Sequence, residues 1–144
     1  MFEMVGPALR KFDSHKAIHD AGLGGAKERI EGMRELLEKK EYDHLAEEIE
    51  SFIEFVEGKI IVHADTEEED EGLYTIAVKN DPGLHDKVQH LIRDHDLMRV
   101  IADKMKHELG GEKPDYQQLI DFANSVIIIN EIHSRDEEEA LLEK

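Results

Sequence analysis

Residues 84–109 read LHDKVQHLIRDHDLMRVIADKMKHEL. Leu84, Val88, Leu91, Met98, Ala102, Met105 and Leu109 recur in alternating steps of four and three, and the one interruption in phase is His95. That rhythm lines one face of an α-helix, since a half-buried strand would alternate every second residue. The same reading extends outward. Leu119, Phe122, Val126 and Ile129 step along a segment at about 115–143, and Leu45, Ile49, Phe52, Val56 and Ile60 along one at about 41–77. A weaker series, Leu9, Phe12, Ile18, Gly22, Ala26, Ile30, Met33 and Leu37, marks a fourth at about 7–39. Breakers fall between them, at the charged stretch Lys39–Tyr42, at Asp81-Pro82-Gly83 and at Gly110–Pro114. Leu73–Val78 has a short strand-like composition but no alternating partner. The expectation is an all-α chain, a single domain over 1–144 forming an up-and-down antiparallel four-helix bundle. Gly22, Gly24 and Gly25 conflict locally with the first helix, and read either as close packing or a kink, or as a gap in the core.

Composition narrows the chemistry. The chain has 144 residues with 18 basic against 35 acidic side chains, a formal charge of −17 and no cysteine. Phosphates would repel such a surface, which argues against nucleic acid or an anionic membrane as partner. Without thiols there is no disulfide framework, thiolate zinc site, iron–sulfur cluster or cysteine nucleophile, so a metal would be held by nitrogen and oxygen. The longest aliphatic run, Val126–Ile129, is far short of a membrane span, and the N-terminal stretch has no signal-like apolar run. A cytoplasmic address is the expectation.

Four of the nine histidines fall where an aliphatic residue is due. His95 continues the third stripe. His63 follows Ile60 by three and is itself followed four on by Glu67. His133 follows Ile129 by four and is followed four on by Glu137, and His15 follows Phe12 by three. The second and fourth cases share the form H-x-x-x-E-E-E, 70 residues apart. Residues four apart share a helical face, so imidazole and carboxylate can reach one ion. Glutamate makes up 22 of 144 residues, so either motif alone would arise by chance about one time in six, and the weight lies in the conjunction. Burying four imidazoles and two carboxylates without a metal would be costly in desolvation. Heights agree across the first turn, where His15 and His63 lie about 36 and 33 Å of helix from it. Across the last turn His95 and His133 lie about 21 and 27 Å away, and His90 would match better by height although it is out of phase with the buried stripe. His19, one turn beyond His15, is a candidate fifth ligand or neighbouring group, and His44, His85, His90 and His107 read as surface.

A lone histidine, then H-x-x-x-E, then a lone histidine, then H-x-x-x-E, one element per helix, resembles the hemerythrin-like, or HHE cation-binding, family. Here the pattern is His15, His63 with Glu67, His95, and His133 with Glu137, over nearly the whole chain. Glu137–Leu142 is similar to the family's fourth-helix ending, whereas after Glu67 the corresponding Leu73-Tyr74 arrives two residues late. The resemblance implies a four-helix bundle with a non-haem di-iron centre, terminal histidines, Glu67 and Glu137 as bridging carboxylates, and an oxo or hydroxo bridge. Hemerythrins that carry oxygen reversibly use five histidines, two of them a turn apart on the third helix. The positions four before and four after His95 are Leu91 and Arg99, so the chain is more similar to the four-histidine, two-glutamate branch. That branch is associated with iron supply, repair of damaged iron centres, nitric oxide or peroxide chemistry, and iron or oxygen sensing. Two expectations follow: a di-iron protein with an open position for O2, NO or peroxide, or a metal-dependent sensor or iron buffer read by a partner protein without catalysis. The ligand types would also accept zinc or manganese. There is no nucleophile–base pair, phosphate loop or dinucleotide fingerprint.

Overall fold

The structure, a computed structural model, describes the backbone of residues 12–142 and the side chains of residues 25–142. The described residues are helical, with no strand among them. Helix α1 is Phe12–Glu38, α2 is Tyr42–Phe55, a π-helical turn runs over Val56–Ile61, and α3 is Val62–Glu67. A short loop leads to α4, Leu73–Asn80; a 3₁₀ turn at Pro82–Leu84 leads into α5, His85–Leu109, and α6 is Tyr116–Leu141. Among the described residues no helix is long and apolar enough to cross a membrane.

The connections form where the breakers stand. After α1, the Lys40 amide donates to the Leu37 carbonyl and the Glu41 amide to the Leu36 carbonyl, a Schellman closure that places Lys40 at a positive φ of 58°. Asp115 caps α6 by accepting from the Gln118 amide, which satisfies one of the donors orphaned at a helix start. Asp81 accepts from the Gly83 amide and steers the chain into α5. Helix α1 packs on α2 and α6, and α5 packs on α6, α2 and the π turn.

Among the described residues the apolar interior is in two parts. The larger is built from Ala26, Ile30 and Met33 of α1, Leu45, Ile49, Phe52 and Ile53 of α2 with Val56, Met98, Ala102 and Met105 of α5, and Leu119 to Ile127 of α6. The smaller gathers Leu73 and Tyr74 of α4, Val88 and Leu91 of α5, and Leu142. On α5 every stripe position from Val88 to Met105 is buried, and His95 lies at the joint between the two clusters. Gly25 is exposed with open space where a side chain would stand, so it makes no gap in the core; Gly22 and Gly24 fall outside the described side chains.

The second segment is not one helix over 41–77. Each turn of π-helix takes one residue more than an α turn, so burial slips by one position across Val56–Ile61. Ala64, 1% exposed, takes the core place that an unbroken α-helix would give His63, whose side chain stays 21% exposed at the margin. The helix then stops at Glu67. The extended backbone of Gly72 passes so close to the Thr66 and Glu67 carbonyls that a Cβ there would lie 2.4 and 2.7 Å from them. This tight return allows α4 to begin with Leu73 and Tyr74 facing inward, both buried.

Candidate metal centre

Between the two apolar clusters lies a polar layer. Glu67 from α3, His95 from α5, and His133 and Glu137 from α6 are all buried, and each offers a ligand atom within 4.8 Å of the others. The i,i+4 spacing on α6 sets His133 Nε2 3.2 Å from Glu137 Oε2. On the other side Glu67 divides its oxygens, with Oε1 3.3 Å from His95 Nε2 and Oε2 3.3 Å from His63 Nε2.

Both buried rings are oriented from behind. His95 Nδ1 is 2.6 Å from Glu68 Oε2, and His133 Nδ1 is 3.0 Å from Asp94 Oδ2. A carboxylate on Nδ1 holds a proton there and turns Nε2 inward, the arrangement usual behind metal-ligating imidazoles. Glu68 is itself fixed by Arg99, which donates to it at 2.9 Å while reaching Asp65 at 2.7 Å and Asp96 at 2.8 Å. Burial opposes the charge on Arg99, but the bonds to Asp65 and Glu68 outweigh it and raise its pKa further. Burial likewise pulls His133 down, yet its bonds to Asp94 and Glu137 prevail and its pKa is pushed up to about 10.

Tyr74 stands in the middle of the layer. Its hydroxyl donates to Glu137 Oε2 at 2.5 Å and lies 3.2 and 3.3 Å from the Nε2 atoms of His95 and His133. Burial first, then the charges of Glu137 and Glu67, drive the phenol far above its ordinary pKa, so in the metal-free protein it keeps its proton.

The sequence-predicted residues divide accordingly. Glu67, His95, His133 and Glu137 are brought together, and His63 touches the group from its margin through Glu67. His15 and His19 belong to the backbone of α1, and their side chains lie outside the described residues. Periodicity was the better guide on α5, because His90 is exposed; His44, His85 and His107 are exposed as well. Glu68, Asp94, Arg99 and Tyr74 were missed. A signal for two of them was available, since Glu68 and Asp94 each directly neighbour a site residue in the chain, but acidic neighbours read as solvated surface.

The donor set fits a metal. With Nδ1 of each ring bonded to a carboxylate, two imidazole nitrogens and two glutamates converge in a water-poor layer, and nitrogen–oxygen ligation of this kind suits iron, manganese or zinc. Comparison with known protein families, with curated proteins and with solved structures gave no match.

Proposed function

We propose that this chain is a hemerythrin-like, non-haem iron protein, an up-and-down four-helix bundle that holds two iron ions and leaves a position for O2, NO or peroxide. The observation that carries this reading is the convergence of buried Glu67, His95, His133 and Glu137 ligand atoms within 4.8 Å of one another. Support for a second ion comes from Glu67, whose two oxygens face two different histidines, His95 and His63. His95, His133, Glu67 and Glu137 would hold the ions together with His63 at the margin, and the family resemblance adds His15 from α1 and gives both glutamates the bridging role. Iron bound here would supply a redox couple and an exchangeable coordination position.

The chain's own residues do the rest. Glu68 and Asp94 fix the tautomers of the two buried rings. Ala64, Leu91 and Met98, each one turn from a site residue, are buried and keep water from the layer. Two glutamates offset much of the charge that two divalent ions bring. Anaerobic loading with ferrous iron, followed by metal analysis, should give about two irons per chain, and admitting air should then bring up ferric charge-transfer absorption in the near-ultraviolet. Fewer than one bound ion would overturn the proposal.

A further inference from the structure

Tyr74 is the one residue of the polar layer that neither a histidine nor a carboxylate pattern would bring forward. Its Oη lies 2.5 Å from Glu137 Oε2, 3.2 Å from His95 Nε2, 3.3 Å from His133 Nε2 and 3.4 Å from Glu67 Oε1. It therefore approaches a ligand atom of every member of the cluster. A phenol carries one proton and can donate once, and Glu137 takes that bond. The other three approaches place a fifth donor atom, and a third oxygen, in the converging group. The ring is held for this role. It stacks on the His95 imidazole with centroids 5.5 Å apart and planes 14° apart, and the return at Gly72 delivers Tyr74 into the layer at the start of α4.

We propose that Tyr74 Oη is a further ligand of this metal centre, binding as phenolate beside Glu67, His95, His133 and Glu137. The proposal rests on the metal-binding reading above. On binding, the phenol O–H bond breaks, its electron pair forms the bond to the metal, and the proton leaves to bulk solvent; nothing is oxidised or reduced. A bound cation reverses the electrostatics that keep the phenol protonated without it, as it does for a coordinating thiol. A third anionic oxygen favours ferric over ferrous iron, which turns the centre away from reversible oxygen carriage.

The test uses the full chain loaded with ferrous iron without air and then exposed to air. Iron content, the visible spectrum and resonance Raman scattering are recorded for the wild type and for Tyr74→Phe, which retains the stacked ring. The expected result is a phenolate-to-ferric charge-transfer band with enhanced tyrosine ring modes in the wild type, absent from the variant. The wild-type signature decides even if the variant misfolds. The other two tyrosines, Tyr42 and Tyr116, stack on each other at the first residues of α2 and α6, away from the layer. Bound iron with no phenolate signature, or a signature that survives in Tyr74→Phe, overturns the proposal and leaves the metal reading standing. Absence of bound iron overturns both.

Discussion

The Nε2 atoms of His95 and His133 face each other across 3.1 Å, and the far nitrogen of each ring is bonded to a carboxylate. Two lone pairs at that distance repel unless a positive charge lies between or beside them. In the metal-free protein a proton fills that need, and a metal ion would compete with it directly.

This competition has a pH signature. His133 is raised from 6.5 to about 10, so its charged form is favoured by folding. The stability it contributes is fully present below about 6.5 and is lost as pH rises through about 10, on the order of a few kcal/mol. Urea unfolding of metal-free protein at pH 6, 8 and 10 should show that decline, while metal affinity climbs over the same interval as the proton is released. Stability that stays level from pH 6 to 10 would contradict the assignment.

Glu68 does not belong to the convergent four but holds one of them. Glu68→Gln should keep the helices and weaken metal retention by about 10–100-fold, because His95 loses the carboxylate that orients it. Competition with a chelator measures this. An unchanged metal affinity would mean that Arg99 and the surrounding packing suffice to orient the ring.

Gly72→Ala should be severe for a different reason. The added methyl would meet the Thr66 and Glu67 carbonyls at 2.4 and 2.7 Å, and neither is a flexible side-chain end. A loss of roughly 2–4 kcal/mol is expected, with Glu67 and Tyr74 both displaced. Denaturation midpoints and metal content should fall together.

At the opposite end, Lys40 holds φ 58° in the Schellman turn after α1. Lys40→Gly relieves the left-handed strain, about 1–2 kcal/mol, and returns part of it as chain entropy. Thermal denaturation should show a net gain of about 0.5–1 kcal/mol with metal binding untouched.

The sequence carried the helices and the residues in phase with them because burial and periodicity are one signal there. On α5 the positions Val88, Leu91, His95, Met98, Ala102 and Met105 are all buried as their spacing requires. It did not carry the π turn, since nothing in Val56–Ile61 departs from α-helical patterning and the slip shows only in the burial of Ala64 over His63. Tyr74 was hidden by its own hydrophobicity. Within Leu73–Val78 it counts as one more apolar residue, and only the return at Gly72 turns its hydroxyl toward the glutamates. The roles of Glu68 and Asp94 depend on helix–helix placement, which one chain's local pattern does not encode.

The division of the apolar interior into a large and a small cluster has a consequence for cooperativity. The large cluster is shared by α1, α2, α5 and α6, so losing it amounts to global unfolding. The small one, formed by Leu73, Tyr74, Val88, Leu91 and Leu142, is joined to the rest through the layer of histidines and glutamates. Among the described residues, and without an ion, that end has the smaller core, and its amides should exchange before those of the large cluster. An ion held in the layer would turn this seam into a clamp, and two units of unequal strength would then unfold as one.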